Sequence, residues 1–205
     1  MGQTILNSVV FLDRDGTINH DSPNYIKSRS EFKFIPGSIE AIRLLTLGGF
    51  TSIVITNQSA LSRRFISPGE LDLIHGMMKD AIVSGGGMIT DIFFCPHMPN
   101  DGCECRKPAP GLLLQAQRKY NIDLSKSIMV GDSAKDIECA RNAGCGQAVL
   151  VKTGKDDDVE HILKTKLIVA DHTAKNLYEA AKWILANNKS EILNPKLQTP
   201  NNLPC

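Results

Sequence analysis

The stretch Ser8-Val-Val-Phe-Leu-Asp13-Arg-Asp-Gly-Thr17 decides how the rest of the chain is read. Its apolar run is too short for a helix and stops abruptly at Asp-Arg-Asp-Gly, which reads as a buried strand ending in a polar turn. The pattern recurs at Ser52–Thr56, Ile89–Phe94, Ser127–Gly131, Gln147–Val151 and Leu167–Ala170, all expected as strands. Helical spacing lies between them. Ser38 opens one helix, with Ile39, Ile42 and Leu45 on a common face and Gly48-Gly49 closing it. Ser67 and Pro68 cap and start a second that continues to about Ser84. Further helices are expected from Gly111 to Tyr120, Ala134 to Asn142, Asp156 to Lys164 and Ala174 to Ala186.

Strands alternating with helices imply parallel pairing through right-handed crossovers. The expected fold is therefore α/β: an open parallel Rossmann-like sheet with helices on both faces. Residues 1–188 read as a single domain, and residues 189–205, rich in Pro, Asn and Lys without periodicity, as a mobile tail. The stretch between the first two strands leaves no room for a large cap domain.

Of the 205 residues 42% are hydrophobic and 22% charged, which excludes a disordered chain. Lys plus Arg (23) nearly balance Asp plus Glu (22), so no basic field points to nucleic acid. No apolar run approaches the length of a membrane span, and the first residues carry no secretory leader. A cytoplasmic protein acting on a small molecule, without nucleic-acid or membrane partners, is the expectation.

Ligands of such sheets bind beyond the carboxyl ends of the strands. Four polar signatures fall there: Asp13 and Asp15, Thr56 and Asn57, Arg106 and Lys107, and Asp132 with Asp136. Together they point to phosphoryl transfer. Asp13 and Asp132 can hold a hard divalent cation such as Mg2+. Thr56, Asn57 and Lys107 can bind non-bridging phosphate oxygens. Asp13 can act as nucleophile, with Asp15 giving and then taking the proton. A third strand end carries Cys95, His97, Cys103 and Cys105 within eleven residues. Three thiolates and an imidazole make a closed tetrahedral shell, so a structural Zn2+ is expected in a loop over 95–105. The remaining side chains read more plainly. His75 is expected as packing or surface, His161 and His172 as solvated, Cys139 and Cys145 as small buried apolar residues, and Asp156 to Asp158 as complements to a helix dipole.

In Asp13-Arg-Asp-Gly-Thr17, Thr56-Asn57, Lys107 and Gly131-Asp132 through Asp136 the chain resembles the haloacid-dehalogenase-like phosphohydrolases, over about residues 7 to 155. The resemblance implies a magnesium enzyme in which Asp13 is nucleophile and metal ligand. It also implies that Asp15 is general acid/base and binds the metal through its backbone carbonyl, and that Asp132 completes the ligand set. Thr56, Arg106 and Lys107 would steady the phosphoryl group. Asn19, His20, Asp21, Asn57, Gln58 and Ser59 would join them in contacting substrate. Relatives with such a Cys/His loop act on a sugar bisphosphate or on histidinol phosphate; the sugar bisphosphate is the expectation here, with a monomeric enzyme. A phospho-accepting signalling domain is a third reading, opposed by Asp15, which favours turnover over storage. A second substrate phosphate would meet Arg63, Arg64, Arg106 or Lys27. The family's Gly-Ile-Ala-Arg-Gly is replaced here by Ala60-Leu-Ser-Arg-Arg64, and its basic residue after the last-motif aspartate by Ser133.

Overall fold

The structure is a computed structural model that describes residues 5–155 and 158–188. Its strands are β1 (Val9–Leu12), β2 (Thr51–Asn57), β3 (Asp91–Cys95), β4 (Ile128–Gly131), β5 (Gln147–Val151) and β6 (His172–Ala174). The helices are α1 (Ser38–Leu47), α2 (Pro68–Ser84), α3 (Gly111–Tyr120), α4 (Ala134–Ala143), α5 (Val159–Thr165) and α6 (Leu177–Asn187). The sheet runs β3-β2-β1-β4-β5-β6, every pair parallel. The chain thus works outward from β1 on one side, then returns to begin the other half at β4. That reversal opens a crevice at the carboxyl ends of β1 and β4.

Alternation along each strand splits the core in two. Val10, Leu12, Val54, Val130 and Val149 face α1, α2 and α6, whose Ile42, Leu45, Ile74, Met78 and Ile184 close that side. Val9, Phe11, Ile53, Met129 and Leu150 face α3, α4 and α5 through Leu113, Ala116, Ile137 and Leu163. Covering both faces explains why the strands read as unbroken apolar runs. Among the described residues there is no cap domain, and Cys139 and Cys145 are buried as expected.

Two expectations are corrected. The last strand is His172–Ala174, not Leu167–Ala170, and α6 starts at Leu177 rather than Ala174. Leu167 closes α5 at φ 57 and is 90% exposed, and Val169 is 71% exposed, so this apolar run lies on the surface. The pairing begins only after Asp171, whose N–H and carboxylate both engage the backbone of Ala148. His172 is not free in solvent either: its ring stacks on Trp183 at 4.6 Å. The tail at 189–205, and Asp156 and Asp157 of the expected helix start, lie outside the described residues.

Candidate active site

The site begins with the turn that follows β1. Asp13 leaves the strand with its N–H still paired to Val130 of β4, which places its carboxylate over the crevice. Gly16 adopts φ 84 in the left-handed region, and a Cβ there would overlap the Asp132 carboxylate. Only glycine lets the turn pass this close to the end of β4. Carboxylate oxygens of Asp13, Asp132 and Asp136 come within 4.8 Å of one another.

Lys107 sits among them, its side chain 3% exposed. Its ammonium lies 2.7 Å from Asp13 Oδ1 and 2.6 Å from Asp136 Oδ1, and donates to the Ile55 carbonyl at 2.9 Å. The other Asp136 oxygen accepts from the N–H and hydroxyl of Ser133, capping α4. Asp136 is therefore the anchor of Lys107, held by the protein through both of its oxygens. Asp13 Oδ1 is likewise occupied, by Lys107 and by the Arg14 N–H at 2.7 Å. Among the described residues one side chain donates to Asp132, the Thr17 hydroxyl at 3.3 Å.

Charge follows from this crowding. Burial and the nearby Asp136 outweigh the attraction of Lys107 and push Asp13 up to about 7. Burial, with repulsion from Asp13 and Asp136, pushes Asp132 up to about 9. Burial disfavours the Lys107 ammonium, but Asp13 and Asp136 reverse this and hold its pKa above the ordinary lysine value. A pair of hard oxygen donors with raised affinity for a positive charge fits a small divalent cation, so Asp13 and Asp132 fit the expected metal.

Asp15 belongs to a different cluster. Arg14, 1% exposed, grips it with Nη2 at 2.8 Å from both oxygens; Asn19 and Gln58 donate to it at 2.9 and 2.8 Å. Burial alone would raise its pKa, but the charge and hydrogen bonds of Arg14, with those of Asn19 and Gln58, bring it below the ordinary value. Its resting form is the carboxylate. No feature of the sequence marks Arg14 as this clamp, except its position between the two aspartates.

Thr56 and Asn57 end β2. The amide of Asn57 exchanges two hydrogen bonds with the backbone of Lys107, at 3.1 and 3.3 Å, tying two strand-end loops together. Thr56, Asn57, Gln58, Ser59, Asp21, Arg106 and Lys107 all line one open cavity of about 340 Å³ with the aspartates. Asn19 and His20 are not among its lining residues. Asn19 is wholly buried against Asp15, and His20 is exposed. Of the cations expected for a second phosphate, Arg63 and Arg106 line the cavity, whereas Arg64 and Lys27 do not. Lys27 turns instead to Glu31, four residues on, at 3.2 Å. Lys135 and Lys155 line the cavity in their place, Lys155 paired with Asp21 at 2.9 Å.

Cys95, His97, Cys103 and Cys105 converge as expected. Their sulfur–sulfur separations of 3.1 to 3.6 Å, and 3.3 and 3.5 Å from sulfur to His97 Nδ1, are edges of one small tetrahedron. Zinc bound to these atoms gives edges of about 3.5–3.8 Å, so the four residues fit that ion. The loop is joined to the cavity at two points. The Arg106 guanidinium donates to the His97 carbonyl at 3.0 Å, and the Gln58 N–H to the Cys95 carbonyl at 2.7 Å.

Fold and site together define a haloacid-dehalogenase (HAD)-like hydrolase. A family model described as HAD-hydrolase-like matches residues 104–180. The chain is 48% identical over 148 residues to the D-glycero-beta-D-manno-heptose-1,7-bisphosphate 7-phosphatase of Pseudomonas aeruginosa, covering 72% of this chain and 83% of that one. It is 44% identical over 146 residues to the enzyme of the same name from Bordetella bronchiseptica, covering 71% and 81%. The crystal structure of D,D-heptose 1,7-bisphosphate phosphatase from B. bronchiseptica, complexed with magnesium and phosphate, superposes with a TM-score of 0.80 at 38% identity, covering 87% of this chain and 98% of that one. The chain belongs to the D-glycero-beta-D-manno-heptose-1,7-bisphosphate 7-phosphatase family.

Proposed function

We propose that this protein removes the 7-phosphate of D-glycero-D-manno-heptose 1,7-bisphosphate through an aspartyl-phosphate intermediate, in the supply of activated heptose for surface glycans. The observation that carries the reading is the pairing of two acids with opposite environments on one turn: Asp13 beside the cation site and Asp15 clamped by Arg14.

Held by Lys107 and the Arg14 N–H through Oδ1, the Asp13 carboxylate keeps its second oxygen without a hydrogen bond among the described residues, and that oxygen attacks phosphorus. The bond from phosphorus to the sugar oxygen breaks, and the leaving alkoxide takes its proton from Asp15. Asp15 is ionised at rest, so it picks up that proton as the anionic phosphate arrives and raises its pKa. In the second half Asp15 removes a proton from water, which attacks phosphorus and frees Asp13 and inorganic phosphate. Thr56, Asn57, Arg106 and Lys107 hold the phosphoryl oxygens. Mg2+ held by Asp13, Asp132 and the Asp15 carbonyl supplies positive charge for the phosphoryl group. Zn2+ in the 95–105 loop has a structural role, keeping Arg106 and Lys107 in place.

The cavity is open, and its rim carries Arg63, Arg106, Lys135 and Lys155, cations that suit a second phosphate. Phosphate release from a heptose 1,7-bisphosphate is expected to exceed that from histidinol phosphate by at least about tenfold in kcat/KM, equivalent to roughly 1.4 kcal/mol. Preference for histidinol phosphate, whose amine the rim should repel, would overturn the substrate assignment.

A further inference from the structure

Helix α2 carries one polar side chain on its buried face. His75 falls in register with Leu71, Ile74, Met78 and Ile82, and is 7% exposed. Its Nε2 lies 3.2 Å from Arg14 Nη1. Among the described residues no other acceptor meets that nitrogen, while Nη2 and Nε of the same guanidinium hold Asp15. We infer that His75 is a positioning residue for Asp15, acting through Arg14 as a fixed hydrogen-bond acceptor. The inference rests on Asp15 being the proton-transfer group of the reaction above.

The chemistry of the contact is one-sided. A guanidinium only donates, so Nε2 must be bare and the ring must carry its proton on Nδ1. Burial and the Arg14 charge push the His75 pKa down to about 3, so the acceptor persists at any working pH. Position follows from rigidity. Ile74, Met78 and Ile82 lock α2 onto the sheet and Leu71 packs on Ala60 and Ile66, while the Phe94 ring flanks the imidazole at 6.0 Å. A guanidinium is a planar fork, so fixing one arm fixes the plane in which the others meet a carboxylate. Without the acceptor, a buried Nη1 N–H is left unpaired, and the fork rotates in search of a partner, taking Asp15 with it.

The test compares kcat and KM for phosphate release from a heptose 1,7-bisphosphate. His75→Ala and His75→Leu are expected to lower kcat about 10- to 100-fold, since small misplacements of a proton-transfer group cost this much, with KM within about threefold. His75→Gln, which presents an oxygen near the Nε2 position, is expected to restore kcat to within about threefold of wild type. In an Asp15→Asn background, His75→Ala should cost nothing further. Wild-type kcat in His75→Ala, failure of His75→Gln to rescue, or a full additional loss in the Asp15→Asn background would each overturn the positioning role. Wild-type turnover in Asp15→Asn itself would instead overturn the reading of Asp15. Should the substitutions fail to fold, 15N NMR of the wild-type imidazole decides: a protonated Nδ1 with a bare Nε2 is expected, and the opposite tautomer refutes the contact.

Discussion

Lys107→Met removes the one buried cation that the Asp13, Asp132 and Asp136 group contains. In the folded protein the ammonium is within 2.7 Å of Asp13 and 2.6 Å of Asp136, and almost fully shielded from water. Breaking a buried ion pair by deleting one partner costs about 3–5 kcal/mol, because the abandoned charge stays buried. For a protein of this size that is a fall in Tm of roughly 6–20 °C. The loss depends on pH with a definite sign. Asp13, already raised by burial and by Asp136, rises further once Lys107 is gone. A carboxylate whose folded pKa exceeds its unfolded value favours the folded state when protonated, and loses that contribution as pH climbs from about 4 through the raised value. Lys107→Met should therefore sit closest to wild type near pH 5 and furthest from it near pH 8.

The double variant Lys107→Met/Asp136→Asn separates architecture from chemistry. The amide oxygen introduced at position 136 can still accept from Ser133, while the Asp136 charge, one of the two left without Lys107, disappears. It should recover most of the lost stability yet remain about 100- to 1,000-fold slower than wild type, as expected when a group facing the developing phosphoryl charge is lost. Calorimetric melts at pH 5, 6.5 and 8, paired with phosphate-release rates at saturating substrate, measure both. A single variant as stable as wild type at pH 8 would refute the buried-pair account. Recovery of activity in the double variant would refute the catalytic one.

Asp13→Asn should abolish phosphate release while leaving the fold intact, and Asp15→Asn should be slowed by about 100- to 10,000-fold; near-normal turnover in Asp13→Asn, measured by phosphate release, would exclude the covalent route. Mg2+ must displace protons from Asp13 and Asp132, raised to about 7 and about 9, so calorimetric affinity should strengthen as pH rises from 6 to 9, by up to about tenfold per unit for each proton released. An affinity independent of pH would show that these carboxylates are not the ligands. Elemental analysis should find about one zinc per chain, and Cys103→Ser should lower that content and raise KM by loosening Arg106; zinc-free protein purified without chelators would remove the site.

Most of the fold was legible because a parallel sheet covered on both faces requires continuous apolar strands, and Val9–Leu12, Ile53–Ile55 and Ile128–Val130 are such runs. The edge defeated this logic. At β6 one neighbour is enough, so the polar His172-Thr173 can serve as strand while the more apolar Leu167–Ala170 stays on the surface. The acids and the Cys/His loop were legible for a local reason: each motif is contiguous in sequence and sits where its strand ends. The supports of those acids were not, because they come from afar. Arg14 meets His75 across 61 positions, and Lys107 meets Ile55 across 52. His75 was half visible, since its spacing from Leu71 and Met78 puts it on the buried face of α2. Lys27 was equally visible as the partner of Glu31 at i+4, which takes it away from the substrate rim.

The division of charge at this site matches one divalent ion. Four carboxylates gather at the switch point: Asp13, Asp15, Asp132 and Asp136. Two buried cations stand against them, Arg14 and Lys107. The charge of Arg14 is paired with Asp15, and Lys107 is shared between Asp136 and Asp13. With all four acids ionised, the sum of −4 and +2 leaves −2, carried by the two groups whose pKa values are raised. In the absence of metal, protons fill that deficit. A divalent ion would fill it without consuming the ionised form that the proposed nucleophile needs, so on the proposed mechanism metal binding and activation of Asp13 are one event. Once the balance is closed, the arriving phosphate brings new negative charge that the buried cations cannot answer. That charge falls to the cations outside the core, Arg106 beside the zinc loop and Arg63 and Lys135 on the rim. On the proposed mechanism the buried charges thus set the chemistry, and the exposed ones set the preference among phosphorylated substrates.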